Sequence, residues 1–320
     1  MELYFEKLYG DLTRVGYLSE RDFGWRSPQP EIPPELFKDY PLSDADILVI
    51  GDSFSDGRLL QTRLVANDLK VSTIHWRDLN TSGMFNSLPN NLAEAIRASG
   101  FKGSYVIIES VERQFQERMK ALCKERRPIV KNEIVVNNAP YPERDRISLN
   151  NLNGAEWGKK ALYNKINLSL HFSENYLKSE LVKTVNFDGC NLFSNRLCNF
   201  AIFFEDDFKK ATFSSVTNVL NVNKNLQAEG IQAIWMIVPD KATVYLGYGA
   251  LNQNPYENIW HQFARYPELI VPDLGAAFIR KSRTVKDFYM PNDSHLSTDG
   301  FLFLGDIMSQ VLHKTIADQS

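Results

Sequence analysis

Two short stretches at opposite ends of this chain hold the residue types that acyl transfer needs. The first is Gly51-Asp52-Ser53-Phe54-Ser55-Asp56-Gly57. An apolar run over 46–50 precedes it, and a segment with helical spacing over 59–67 follows it. In an open α/β sheet, ligands bind at the carboxyl ends of the strands. A serine there presents its hydroxyl at the mouth of the crevice and its N–H at a helix N-terminus, where it stabilises negative charge on a carbonyl oxygen. Serine and aspartate are also ordinary helix caps, which is the structural alternative for Ser53. A serine nucleophile needs a base. His295 is the candidate, in Asn292-Asp293-Ser294-His295-Leu296-Ser297-Thr298-Asp299-Gly300. Asp293, two residues earlier, is placed to accept the imidazole Nδ1–H and fix its tautomer. Alone, this stretch reads as a loop of capping residues with an incidental histidine; coupled to the first, it supplies a base and an orienting acid. Of the other histidines, His75 ends a strand and is placed to line the cleft, while His171, His261 and His313 read as solvated.

The elements that must position these residues follow from periodicity. A short apolar run predicts a buried parallel strand over 46–50, and further strands are expected over 71–75, 105–109, 232–238 and, shorter, 269–271. Helical spacing predicts helices over 59–67, 86–99, 213–229 and 300–314. Alternating strand and helix implies a parallel sheet covered on both faces, a doubly wound α/β domain of about five strands. The stretch 27–41 carries five prolines and reads as an extended lead-in, with regular structure beginning after it. From 120 to about 190 the chain is polar and weakly periodic, and it reads as an excursion off the sheet. The expected organisation is a lead-in over 1–45 packed on one catalytic domain over 46–320.

Composition narrows the function classes. The chain has 320 residues, 43% hydrophobic and 23% charged, which is ample for a core and excludes a disordered or low-complexity chain. Lys+Arg number 36 against 39 Asp+Glu, so the basic excess usual in a nucleic-acid binder is missing and no nucleic-acid partner is expected. No window approaches a membrane-spanning apolar run. The N-terminus carries Glu2 and Glu6 where a signal peptide would have basic and apolar regions. As written the chain reads as soluble, and one cut from an upstream signal or anchor would read the same. Three cysteines without a CxxC spacing offer neither a zinc site nor a disulfide scaffold. Three reduced thiols is the simplest reading; a Cys190–Cys198 bridge in an oxidising compartment is the alternative. No cofactor and no metal are expected.

The two stretches together resemble the SGNH (GDSL-type) hydrolases. GDSFSDG is similar to the first block of that superfamily, and the Asp–His pair before the last helix to its last block. The usual last block has aspartate three residues before histidine; here Asn292 occupies that place and Asp293 stands two before. This Asp-x-His form, followed by Leu-Ser and a glycine, is closer to the alginate O-acetyltransferase-like branch. Val238-Pro239-Asp240-Lys241-Ala242-Thr243-Val244-Tyr245 is similar to that branch's VPxKxxxY segment, and Glu109 to Arg113 to its strand-end segment closing on arginine. The likeness runs over 46–113 and 192–312.

The resemblance implies a flavodoxin-like α/β/α sandwich with a Ser53–His295–Asp293 acyl-transfer site. It implies transfer of an acetyl group through a Ser53 acyl-enzyme to an exopolysaccharide hydroxyl. It also implies a periplasmic or otherwise extracytoplasmic setting and a membrane O-acyltransferase partner that delivers acetyl groups; a cytoplasmic setting is the alternative. Gly83, in Asn80-Thr81-Ser82-Gly83, takes the place of the superfamily's glycine block and is a candidate oxyanion donor beside the Ser53 N–H. The asparagine usual after the third strand is replaced by Ser110 to Arg113, which argues against an ordinary GDSL lipase. Lys241 and Tyr245, beyond a strand's carboxyl end, are placed to hold an acidic or polyhydroxylated sugar, or else to pair with a carboxylate and to fill core. Arg113 is placed to hold an anionic substrate, or else to pair with Glu109 or Glu112. Asp52 completes the oxyanion and substrate-binding candidates. The competing functions are a carbohydrate acetylesterase using the same three residues and a non-catalytic polysaccharide-binding assembly protein.

Overall fold

The computed structural model describes residues 10–76, 91–120, 135–136, 154–170, 177–208, 216–250 and 258–319. Two short helices open this part of the chain, α1 (Asp11–Val15) and α2 (Glu20–Phe23), before a single 3₁₀ turn at Pro34–Leu36 and a two-residue strand β1 (Lys38–Asp39). Regular structure therefore begins before the proline-rich stretch, not after it. The α1 and α2 segments are too short to show a helical period, which is why the sequence concealed them.

The sheet is built next. Strand β2 (Ile47–Gly51) leads into α3 (Ser53–Asp56) and α4 (Gln61–Val65), then β3 (Val71–His75), α5 (Leu92–Ala98), β4 (Tyr105–Val111) and α6 (Glu112–Lys120). After β5 (Val135–Val136), α7 (Gly154–Ser169), β6 (Val182–Asn186) and β7 (Phe200–Phe204), the α/β alternation resumes with α8 (Val216–Ala228) and β8 (Gln232–Val238). The chain closes with α9 (Lys241–Ala250), α10 (Ile259–Phe263), α11 (Leu274–Lys281) and α12 (Thr298–Gln319).

Four parallel strands lie in the order β3-β2-β4-β8. The fifth expected strand, 269–271, is reduced to one parallel bridge between Ile234 and Ile270. Pro272 follows at once and has no N–H to extend a ladder. Counting that bridge, the sheet runs second, first, third, fourth, fifth, which is the flavodoxin-like order. The first crossover leads to one side of β2 and the next to the other, so the topological switch lies where β2 and β4 end. Strand β2 is buried along its whole length, as its unbroken apolar run requires, and the core cluster spans both sheet faces and α12.

The excursion expected over 120–190 contains α7 and β6, and β6 pairs antiparallel with β7, which lies beyond the expected end. Strand β1 pairs with β5. Leu12, Leu18 and Phe23 of the N-terminal segment form a second small core with Val182, Phe200 and Ile202 of the hairpin. Cys190 and Cys198 are joined in a disulfide, which corrects the reading of three reduced thiols. The bridge closes the connection between β6 and β7.

Candidate active site

Ser53 stands where β2 gives way to α3. Asp52 is the N-cap, and its carboxylate accepts the Phe54 N–H at 3.0 Å. Ser53 follows as the first residue of the helix, with its side chain open to solvent and its N–H used by no hydrogen bond among the described residues. This turn is fixed from beneath. Glu109, fully buried on β4, accepts the Asp52 N–H at 2.7 Å and the Ser55 hydroxyl at 3.1 Å through Oε2. Gly51 has no room for a side chain: a Cβ there would lie 2.4 Å from Glu109 Oε2 and 2.3 Å from Ser55 Oγ. Arg118 of α6 pairs with Asp52 at 2.8 Å, donates to Ser110 Oγ at 2.9 Å, and lies 5.0 Å over the Trp76 ring. Burial pushes the Asp52 carboxyl up, but Arg118 and the Phe54 N–H outweigh it and hold it below the usual range. Burial and the neighbouring Asp52 charge hold Glu109 well above the usual range, favouring its protonated form.

His295 lies on the turn between Tyr289 and Leu296, whose ends are bridged antiparallel. Its Nε2 is 2.7 Å from Ser53 Oγ, across 242 residues of sequence. Its Nδ1 is 2.5 Å from Asp293 Oδ1, which also accepts the His295 backbone N–H at 3.0 Å. The Phe54 ring packs on the imidazole with centroids 4.8 Å apart. The structure therefore brings Ser53, His295 and Asp293 into one hydrogen-bonded line.

Lys241 does not face a sugar. It is buried, and its ammonium donates to the carbonyls of Met290, Pro291 and Asp293 at 2.8, 3.0 and 3.2 Å. It thereby clamps the backbone of the turn that carries Asp293 and His295. Burial pushes its pKa down to about 8. Tyr245 is likewise a core residue, its hydroxyl accepting the Tyr289 N–H at 3.1 Å while its ring packs 4.5 Å from that of Phe193. Arg113 is spent on Asp240 at 2.5 Å and Asp207 at 3.3 Å, not on Glu109 or Glu112, and it stacks on Phe204. Glu112 instead accepts the Asp240 N–H and the Thr243 hydroxyl, and burial with the Asp240 charge raises its pKa to about 8. Asp52 caps α3 and pairs with Arg118 as described. Gly83 lies outside the described residues, as does His171. His75 is half-buried and stands opposite Gly51 in the β2–β3 register. His261 and His313 are exposed on α10 and α12.

The sequence reading missed two supports. Arg118 has one legible signal, a cation three residues after Phe115 on the buried face of α6. Asp11 has none. Its carboxylate accepts from Ser294 and its N–H donates to Asp293, a contact spanning 282 residues. Asp11, Asp293 and His295 offer three ligand atoms within 4.8 Å of one another, but a cation there would have to displace the hydrogen bonds just described.

Chemically, the arrangement places a solvent-facing hydroxyl against an imidazole whose far nitrogen meets a buried carboxylate, the layout of a serine acyl-transfer centre. Residues 203–317, which include Lys241, Asp293 and His295, match the family model of the SGNH hydrolase-like domain, acetyltransferase AlgX. No curated protein and no solved structure matches the chain. Over residues 203–317 the chain is thus similar to an SGNH hydrolase-like domain of the acetyltransferase AlgX family.

Proposed function

We propose that the protein is an O-acetyltransferase that carries an acetyl group on Ser53 and delivers it to a hydroxyl of an exopolysaccharide. The observation that carries this reading is the continuous contact from Ser53 Oγ to His295 Nε2 at 2.7 Å and from His295 Nδ1 to Asp293 Oδ1 at 2.5 Å. His295 Nε2 takes the Ser53 proton as Oγ attacks the donor carbonyl. Asp293 holds the ring and balances the imidazolium. In this reading the tetrahedral oxyanion is met by the Ser53 N–H, which is engaged by no hydrogen bond among the described residues, and by Gly83. The imidazolium returns its proton to the departing alcohol, leaving acetyl on Ser53. A sugar hydroxyl then gives its proton to His295, attacks the acyl carbonyl and leaves as the acetyl ester, and Ser53 regains its proton.

Transfer to an exopolysaccharide, a membrane O-acyltransferase as acetyl source and an extracytoplasmic setting are parts of the same proposal. The family likeness supports them, and the Cys190–Cys198 disulfide supports an oxidising compartment. The solvent exposure of Ser53 favours a second reading, an acetylesterase in which water takes the place of the sugar hydroxyl. The test is acetate release from p-nitrophenyl acetate, followed by mass spectrometry of a polysaccharide added as acceptor. Ser53→Ala and His295→Ala are each expected to lower turnover by about 10³-fold or more. Acetyl on the sugar supports transfer; acetate alone supports hydrolysis. Release that persists in Ser53→Ala overturns both.

A further inference from the structure

Asp11 opens α1 far from the His295 turn in sequence, yet three hydrogen bonds tie the two. Its Oδ1 accepts the Ser294 N–H at 2.7 Å, and its Oδ2 accepts the Ser294 hydroxyl at 2.5 Å. Its own N–H donates to Asp293 Oδ2 at 3.0 Å. Since Asp293 Oδ1 serves His295, the acid that orients the imidazole is held at both oxygens, one by the ring and one by α1. Asp11 Oδ2 also lies 3.7 Å from His295 Nδ1, so two carboxylates flank one side of the ring. A second lock keeps α1 in place. Glu20 of α2 accepts from the Gly10 N–H and the Thr13 hydroxyl, and through its other oxygen from the Asn292 side-chain amide at 2.8 Å. The Thr13 N–H reaches Asn292 O at 3.2 Å. A Cβ on Gly10 would stand 1.9 Å from that same carbonyl, so the two backbones are in direct contact.

We propose that Asp11 is a positioning residue of the Ser53–His295–Asp293 site, fixing the Asp293 side chain through its N–H and setting a second negative charge beside the imidazole. Only the kinetic readout below rests on the proposed function; the state of the ring does not.

Among the described residues, the groups facing this pair come from four elements besides the turn, three of which bring a charge. Lys241 of α9 holds the turn's carbonyls and feels both Asp11 and Asp293. Arg113 of α6 feels Asp11 at longer range. Glu20 of α2 lies behind Gly10 and Asn292. Helix α3 presents Ser53 and the Phe54 ring. Burial, then the Asp293 charge, raises the Asp11 carboxyl, while His295 and Ser294 draw it down. Of these groups, Asp11 and Asp293 alone bring a carboxylate within 4 Å of the ring.

Asp11→Asn keeps the backbone N–H and an oxygen for Ser294 and deletes the charge. Asp11→Ser deletes the charge with a different side chain, so one folded variant suffices. Ser294→Ala removes one hydrogen bond and keeps the charge. The experiment is an NMR titration of the full chain with labelled histidine, the His295 signal assigned by its loss in His295→Asn. Losing the charge is expected to lower the His295 midpoint by about one unit, the usual size of a neighbouring-charge effect. In Ser294→Ala the midpoint stays near wild type. The acidic limb of kcat/KM for an acetyl ester moves down with the ring, because the base must be neutral. A His295 midpoint unmoved in folded Asp11→Asn or Asp11→Ser overturns the proposal. A wild type without Ser53-dependent turnover would defeat the proposed function, while the titration would still decide the role of Asp11.

Discussion

Replacing Lys241 with methionine separates folding from positioning. The ammonium donates to three carbonyls, and Met290 O also keeps the Asp293 N–H at 3.3 Å, so Pro291 O and Asp293 O are the groups that lose a strong donor. Stripping a buried carbonyl costs about 2 kcal/mol, hence about 4 kcal/mol for the pair. Against this stands the burden of burying the charge. A pKa lowered from 10.5 to about 8 means that the site disfavours the ammonium by about 3 kcal/mol. Methionine removes that burden and fills the same space, so the net loss at pH 7 is about 1 kcal/mol. Turnover is expected to respond far more. A turn displaced by about 1 Å costs about 10²-fold, and this turn carries both Asp293 and His295. The pH dependence is a second signature. Between about pH 8 and 10.5 the folded chain has released the Lys241 proton and the unfolded chain has not, so this group's contribution to stability rises with pH by about 3 kcal/mol. Below pH 8 both states hold the proton and the contribution is flat at its lowest. Urea unfolding at pH 7 and pH 10 should therefore show the gap between wild type and Lys241→Met widening from about 1 to about 4 kcal/mol. Full kcat/KM in the folded variant, or a gap that does not widen, would refute the clamp.

The support beneath Ser53 makes a parallel prediction. Glu109 is favoured in its protonated form, so Glu109→Gln preserves its shape and hydrogen bonding and should cost under about 1 kcal/mol with turnover retained. Glu109→Ala leaves the Asp52 N–H and Ser55 hydroxyl without their acceptor, plus a cavity, and should cost about 3 kcal/mol by urea unfolding. Because its folded pKa is raised, the stability Glu109 contributes is fully present below its ordinary pKa and declines as pH rises through the folded value. The Gln variant lacks that decline, and equal damage from Gln and Ala would show that its acid form does not matter. The Cys190–Cys198 disulfide closes a loop of sequence separation 8. Loop-closure entropy gives it about 2.5 kcal/mol, measured as the fall in urea midpoint on substituting both cysteines by serine.

What the sequence disclosed and what it hid divide along a physical line. Strand β8 was legible to the residue because it is a nearly continuous apolar run that the parallel sheet buries on both faces, and β3, the more polar edge strand Val71–His75, was legible from its β-branched residues. The fifth run shrank to one bridge because Pro272 removes the next donor. Helix α7 was hidden because it has no clean apolar stripe: Leu162 and Ile166 stay exposed. For the candidate site, Ser53, Asp293 and His295 were legible because their residue types and local spacing fit a known chemistry. Lys241 and Tyr245 were placed at the right strand end but with the wrong outlook. Spacing fixes where a loop residue sits, not whether its side chain turns to solvent or into the core. Asp11 lay beyond reach because its partners are set only by how α1 packs on the folded domain.

The distribution of buried charge argues independently for where the site lies. Glu109, Glu112, Asp240 and Lys241 are all within 3% exposure, and all sit at or just beyond the carboxyl ends of β4 and β8. Well-packed apolar residues in such places are often neutral or stabilising by comparison, whereas breaking one partnership among the charges leaves an uncompensated ion. A fold under selection for stability alone has no use for them, and natural chains depart from local rules mainly where function demands it. Two of these buried ionisable groups end on backbone that carries the site. Glu109 holds the Asp52 amide before Ser53, and Lys241 holds the carbonyls around Asp293. The two supports share no residue, and their products meet through the Ser53–His295 hydrogen bond and the Phe54 ring. Glu109→Ala should accordingly disturb the hydroxyl while sparing the imidazole's titration, and Lys241→Met should do the reverse.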